Sequence, residues 1–493
     1  MDDMQDDMQD DKQAENQRTG INRRSMLGGA AAAAGALGAA AVASPAAAGR
    51  GRGSHPDHGH DHGRGPREYV LTGGYVVSMD PAVGDLDGGD VHVKDGRIVA
   101  VGRGLRARGG RIDARGMVVM PGLVDTHWHL WTTLFRSMAS SSPATAYFAL
   151  NVANGVRALP SDLYQGARLA LVDALNTGVT TVNDWSHNIR TPDHADANLQ
   201  AHREVGLRGR FSYGTPQGYP GTSVIDLADI ARVQREWFDS GRVPLMHLGL
   251  AGRPPGLVGE AVFRPEYDAA RGLGLPVSYH ANSTRAQGAL QMVRQLAEQD
   301  MLGPDTQLIH ALYTTPEERA AIRDSGASVS ISPMSELLIG YGISPVKDMV
   351  DSGVLLTLSV DTLSLVGSAD MWAVMRLTTG LHRGVAEQEL SINTRRVLQM
   401  ATIDGARSLG LGDVTGSLTP GKRADVVMVR RHDVATAPVI DVANTLALAA
   451  GAENVDTVIV DGRFRKRGGR LLDVDTERVV RSTEQAIAAL LAR

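Results

Sequence analysis

The sequence predicts an α/β protein: a (β/α)₈ barrel with a small β-sandwich domain built from N- and C-terminal segments. Three observations lead there. Eight short apolar runs each precede a stretch long enough for a helix, and eight β-then-α units make up such a barrel. Regions of short β-like runs with turn residues flank that block on both sides. The 493 residues, 43% of them hydrophobic, accommodate a barrel of about 250–300 residues plus a smaller domain.

The chain opens on a polar, Asp- and Gln-rich stretch. Asn22-Arg23-Arg24-Ser25-Met26-Leu27 follows, then an Ala/Gly run to about Ala43. Paired arginines before a weakly apolar run resemble a twin-arginine export signal, with small residues at Ala41–Ala43 or Ala46–Ala48 as cleavage sites. Residues 1–48 are expected to be that leader, which makes the protein exported, periplasmic or extracellular. The run is Ala/Gly-rich rather than Leu-rich, so no stable membrane span is expected after cleavage. Residues 49–66 read as a solvated Gly/His-rich linker; His55, His58, His60 and His62 sit in it without fixed geometry.

Residues 67–120 carry strand-like runs such as Tyr69–Leu71 and Val91–Val93, with Asp95-Gly96 as a hairpin signal. The same texture returns over 413–475, in Ala424–Val429 and Val458–Arg463, and the two regions are expected to form one sandwich. Residues 476–493 read as a C-terminal helix. Between them, over 121–412, lie the eight runs: Leu123–His129, Val179–Asn183, Arg208–Tyr213, Leu245–Leu250, Val277–Ala281, Gln307–Leu312, Ala327–Ile331 and Leu355–Asp361. Arg285–Met301 and Pro316–Ser325 exemplify the intervening helices, and Met371-Trp372 begins another. A doubly wound open sheet is the rival architecture, but no glycine-rich phosphate loop follows any of these strands.

The formal net charge of −5 is spread thinly and forms no basic stripe, so no nucleic-acid partner is expected. There is no cysteine, which excludes thiolate ligands, a thiol nucleophile and disulfides. Any metal must therefore be held by His, Asp, Glu or a modified Lys.

The chemistry-bearing residues stand at the ends of the apolar runs. His127 and His129 end the first. Residues i and i+2 of a strand share a side, so two such imidazoles can grip one ion. His280 ends the fifth run, His310 lies near the end of the sixth and Asp361 ends the eighth. In a (β/α)₈ barrel these positions converge on one face, the face where such barrels carry their active sites. Three neutral imidazoles and a carboxylate suit Zn²⁺, with Fe²⁺ as the alternative. Nearby, Trp128 is expected to point away from the two histidines, Trp131 to line the pocket, and His187, after the second strand, to contact a substrate.

Here the chain resembles the amidohydrolase superfamily, and within it the chlorohydrolase and amine-deaminase branch, over about residues 68–470. Pro121-Gly122-Leu123-Val124-Asp125-Thr126-His127-Trp128-His129 matches the family's strand-one motif. Ser332-Pro333-Met334-Ser335-Glu336 with Gly342–Val346 resembles its strand-seven region, and Pro420–Asp425 its C-terminal sandwich motif. The resemblance implies that His127, His129, His280 and Asp361 are metal ligands and that His310 faces the reacting water or substrate. No Lys ends strand four, where Met246-His247-Leu248-Gly249 stands, so a single divalent metal is expected. The implied reaction is hydrolysis of a C–N bond in a small molecule, an amide or amino-heterocycle, by a metal-activated water. Asp361 would accept the water's proton and His310 would stabilise charge on the tetrahedral centre. The family's tendency to dimers or larger assemblies implies a homo-oligomer.

The chain departs from that pattern twice. Deaminases of this branch usually carry Glu three residues after the strand-five His as a proton shuttle, and here that position is Ser283. The strand-seven Asn that often touches substrate is replaced by Glu336. Glu336 is therefore expected to supply the missing carboxylate or to bind a cationic group. The loss at Ser283 keeps two alternatives open: a metal-dependent lyase or cyclase on the same scaffold, or a non-catalytic exported metal- or ligand-binding protein.

Overall fold

A computed structural model describes residues 67–139 and 141–493. The expected leader and linker, 1–66, lie outside the described residues.

The eight apolar runs form the strands of one parallel sheet, each hydrogen-bonded to the next in chain order. With the small-domain strands numbered first (β1 Glu68–Val77, β2 Asp85–Lys94, β3 Arg97–Gly102, β4 Gly110–Asp113, β5 Met117–Pro121), the barrel strands follow. They are β6 (Leu123–Trp128), β7 (Val179–Ser186), β8 (Arg208–Gly214), β9 (Met246–Gly252), β10 (Val277–Ala281), β11 (Thr306–His310), β12 (Ser328–Ile331) and β13 (Leu355–Leu358). The ring closes between its first and last members. Asp361, just past β13, bridges to Trp128; its N–H donates to the His127 carbonyl at 3.0 Å, and its own carbonyl accepts from His129 N–H at 2.7 Å. The barrel is thus sewn shut at the residues that carry the chemistry.

Strand alternation explains why these runs read as apolar and yet enclose polar groups. Val182, Leu308, Val329 and Leu356 are fully buried in the main apolar core. Their neighbours cross-link strands by hydrogen bonds: Thr126 Oγ1 to Ser330 at 2.8 Å and Thr357 at 3.0 Å, and Asn183 Nδ2 to the Gln307 side chain at 3.1 Å. Each of these buried groups finds a partner, as burial requires.

The helices largely stand where expected. One spans Pro316–Ser325, and Met371–Ala386 starts at Met371 under an Asp370 cap. Arg285–Met301 differs: it is two short helices, Arg285–Ala289 and Met292–Glu298, with Gln291 between them at φ 51°. Asn282 Oδ1 takes the Met292 N–H at 3.1 Å and anchors the break.

The flanking β regions do combine. β14 (Val426–Arg430), β15 (Val455–Val460), β16 (Arg463–Arg467) and β17 (Arg470–Leu471) join β1–β5 in a single nine-stranded sheet, stitched by the β5–β14 pair. Val458–Arg463, read as one strand, is two strands joined by a hairpin turn at Asp461-Gly462. Asp95-Gly96 makes the corresponding turn between β2 and β3. Both residues of each turn have positive φ, which matches the twist of the flanking strands. Tyr69, Leu71, Val91, Val426 and Ile459 share a separate apolar core. The C-terminal helix, Thr476–Ala492, buries Leu490 against the cluster around Trp131. No helix among the described residues is long and apolar enough to cross a membrane.

A buried ion network couples the small domain to the barrel. Arg208, at the start of β8, donates to Asp425 from Nε at 2.5 Å and to Asp461 from Nη2 at 2.9 Å. Removing one partner of such a pair strands the other charge in the interior and costs about 3–5 kcal/mol. Asp425→Ala is expected to lower unfolding stability by about that amount in denaturant titration; a loss under about 1 kcal/mol would show that Arg208 finds other partners.

Candidate active site

His127 lies in the last turn of pleat in β6 and His129 just beyond it; His280 is the fourth residue of β10, His310 the last of β11, and Asp361 follows β13. All five stand at the C-terminal ends of the strands. The structure brings the ligating atoms of His127, His129 and His280 within 4.8 Å of one another, and likewise those of His127, His310 and Asp361. Asp361 Oδ1 lies 3.2 Å from His127 Nε2 and 3.4 Å from His129 Nε2. The His129 and His280 rings stack at 5.4 Å between centroids, with the His127 ring edge-on to both.

The donor set fits a divalent metal. Neither ring nitrogen of the fully buried His127 has a hydrogen-bond partner. A buried polar atom left unpaired is costly, and an ion would supply what is missing. Burial holds His127, His129 and His280 well below the usual histidine range, with neighbouring imidazoles adding to the effect. All three are thus neutral, the form that ligates. His129 Nδ1 lies 3.2 Å from the Trp185 carbonyl; a donated Nδ1–H leaves Nε2 free toward the cluster, the usual way a ligand ring is oriented.

His310 and Asp361 take left-handed backbone conformations, φ 70° and 67°. Such strain in non-glycine residues gathers at functional sites, where surrounding contacts must hold it. Ser335 Oγ donates to Asp361 Oδ2 at 2.5 Å. Beneath the cluster the fully buried Asp125 accepts from His127 N and Val360 N, each at 3.2 Å, so it ties the first strand to the last.

Two expectations change. Glu336 does not stand open to a substrate or a cationic group. It sits fully buried in the helix Pro333–Leu338. Its Oε1 lies 2.9 Å from His310 Nδ1 and takes the Ser332 N–H at 2.9 Å, while Oε2 accepts from Ser344 Oγ. With its oxygens so engaged, Glu336 has no free carboxylate oxygen to offer a substrate. Burial alone would depress the His310 imidazolium, but the hydrogen bond and charge of Glu336, with the charge of Asp361, outweigh it and leave the ring above its ordinary value.

Trp131 is likewise not a pocket wall. It is fully buried with Phe135 and Leu163, and its Nε1–H donates to His187 Nε2 at 3.2 Å. It therefore holds His187, whose ring stands edge-on to His129 at 4.3 Å between centroids. Burial pushes His187 down to about 4, so it is a neutral group at the cluster's rim. Trp128 is fully buried in the main core, as expected. Ser283 is buried, and its Oγ has no hydrogen-bond partner.

Sequence reasoning missed Asp125, Ser335, Tyr147 and Tyr341. Asp125 and Ser335 stood inside the quoted motifs, next to residues that were singled out. Tyr341 lies edge-on to His310 at 5.4 Å, and Tyr147 lies beside Thr362 and feels the Asp361 charge; nothing local in the chain marks either.

A family model described as the amidohydrolase family matches residues 118–465. The chain is 29% identical over 439 residues to a protein named 5′-deoxyadenosine deaminase from Methanosarcina mazei, covering 86% of this chain and 99% of the relative. It is 31% identical over 442 residues to a 5-methylthioadenosine/S-adenosylhomocysteine deaminase from Halobacterium salinarum, covering 86% and 98%. Among solved structures, a zinc-bound adenosine deaminase from Xanthomonas campestris aligns with a TM-score of 0.77 at 26% identity, covering 86% of this chain and 99% of the other. A zinc complex of atrazine chlorohydrolase from Arthrobacter aurescens aligns at 0.77 and 21% identity, over 85% and 100%, and at that identity shows the shared fold.

Proposed function

The chain belongs to the amidohydrolase family, and on that premise we propose that it removes an amino group hydrolytically from an aminopurine-type heterocycle, at a single zinc ion held by His127, His129, His280 and Asp361. It is a metal-dependent hydrolase of non-peptide C–N bonds; the ring class, the number and identity of the metal and the residue roles are the proposal. The observation that carries it is the pair of unpartnered His127 nitrogens, buried where three imidazoles and a carboxylate converge. The names of the relatives support the aminopurine class.

When bound, a divalent metal supplies a nucleophile at neutral pH, because it lowers the pKa of water toward 7. The rest falls to the protein. Asp361 turns Oδ1 to the ligand cluster and Oδ2 to the Ser335 hydroxyl, so it can hold a proton taken from the attacking water. His310, fixed by Glu336 at Nδ1, presents Nε2 as a donor to charge developing on the attacked ring, a contribution worth about 10²–10³ in rate. His187, neutral and braced by Trp131, stands where it can contact the substrate. The amine leaves only when protonated. Ser283 cannot do that work alone, so the proton held on Asp361 is the one available to pass on.

The sequence Asn22–Leu27, which resembles a twin-arginine signal, supports export of the folded protein, and the family resemblance supports a homo-oligomer.

An ammonia-release screen tests this reading. Adenosine, 5′-deoxyadenosine and 5-methylthioadenosine should each be offered beside simple amides. Ammonia release from an aminopurine at a rate well above the amides is expected. Turnover of any substrate on this site without ammonia or amine release would replace hydrolysis with elimination or cyclisation.

A further inference from the structure

At the opposite end of the barrel from the ligand cluster lies a cavity of about 200 Å³. It opens where β8 and β9 begin, against the Asp461-Gly462 hairpin of the small domain. Seven-residue strands separate it from the C-terminal face by about 23 Å, so it belongs to no part of the site described above.

Its lining is unusual in charge. Arg203, Arg463 and Arg465 all border it, the first two exposed and Arg465 half-buried. Asp461 borders it too, but that carboxylate is already engaged by Arg208 at 2.9 Å and Arg423 at 3.0 Å. Among the described residues, no acidic side chain lies within 4.0 Å of the guanidinium groups of Arg203, Arg463 or Arg465. The Arg465 Nε is buried without a hydrogen-bond partner. Burial and the neighbouring Arg463 charge hold the Arg465 cation below its ordinary value, against the smaller opposing pull of the Asp473 and Asp461 charges.

Three guanidinium groups meet at one cleft without a carboxylate to pair them, and one of them keeps a buried donor unpaired, so an anion is the ligand that fits. A folded chain seldom leaves buried donors unpaired. Guanidinium forks match tetrahedral oxyanions, which they bind through paired, charge-assisted hydrogen bonds. The volume exceeds that of a bare ion and leaves room for a short organic group.

We propose that this cavity is a binding site for a phosphate-type oxyanion, carried by a small phosphomonoester, with Arg203, Arg463 and Arg465 as its donors. Occupancy would clamp the small domain to the barrel, because Arg463 and Arg465 come from one and Arg203 from the other.

Calorimetric titration of the purified full chain with inorganic phosphate and with glycerol phosphate tests this, each against chloride at matched ionic strength. Saturable binding of phosphate, tighter for the monoester, is expected. Arg465→Gln should weaken it about tenfold or more, and Arg463→Gln similarly, with ammonia release unchanged in both. Equal affinity for both ligands would assign the site to free phosphate and overturn the phosphomonoester. Absence of saturable binding, the same heat from chloride, or undiminished affinity in both variants would overturn the site. Because the readout is binding, failure here leaves the proposed deamination untouched.

Discussion

His127→Ala is expected to purify with its metal lost and its turnover reduced by about 10³-fold or more, a barrier increase of about 4 kcal/mol. The size follows from position. His127 belongs to both ligating groups in the cluster and lies 3.2 Å from Asp361 Oδ1. Its ring contacts those of His129, His280 and His310. Alanine removes one ligand and also the ring that spaces the other three. The fold itself should survive, because the His127 backbone keeps its bond from Asp361 N. Unchanged circular dichroism beside lost metal would separate the chemical effect from a structural one. A variant that keeps both metal and turnover would remove His127 from the ligand set.

Glu336→Gln should keep its metal and lose about 10- to 100-fold in kcat, with KM little changed. Glutamine can accept from Ser332 N–H and His310 with its carbonyl and turn its amide toward Ser344, so the hydrogen-bond frame survives. The negative charge does not. Glu336 holds the His310 imidazolium above its ordinary value against burial; without the charge, that value falls, and the ring stays neutral to lower pH. The alkaline side of the activity profile, where the doubly protonated His310 is lost, should move down accordingly. Glu336→Ala is the harsher case: it leaves His310 Nδ1, Ser332 N–H and Ser344 Oγ without their partner, at about 1–3 kcal/mol for each donor left unsatisfied. If the glutamine variant retained full kcat and an unmoved pH profile, Glu336 would be packing alone. A raised KM with unchanged kcat would restore the substrate-binding role that the geometry argues against.

The same two residues mark how far a sequence can be read. His127, His129, His280, His310 and Asp361 were legible because each ends an apolar run, and strand period and barrel topology then bring such ends together. The role of Glu336 was not legible, because it is set by a contact with a residue 26 positions away at the end of a barrel strand. Trp131 shows the same limit. Its aromatic face suggested a pocket wall, but its partner His187 lies 56 residues on, and only the folded chain shows that the indole braces the imidazole. The small domain was recognisable as strands from alternation and from Asp-Gly turns. Its sheet order was not: β5 and β14 are some three hundred residues apart, and alternation names a strand without naming its neighbour. The break at Gln291 escaped notice because helical periodicity runs through it, and the carbonyl that stabilises the break comes from the Asn282 side chain.

The family, the barrel and the class of reaction rest on the whole chain. The claim that a single ion held by three histidines and one aspartate drives the reaction rests on the cluster, and it can be measured directly. Elemental analysis of the purified protein, referred to protein concentration and paired with ammonia release, is the most direct test. One equivalent of zinc per chain, removed together with activity by chelation and restored with it, is the predicted result. Two equivalents, or full activity in protein free of metal, would contradict the account.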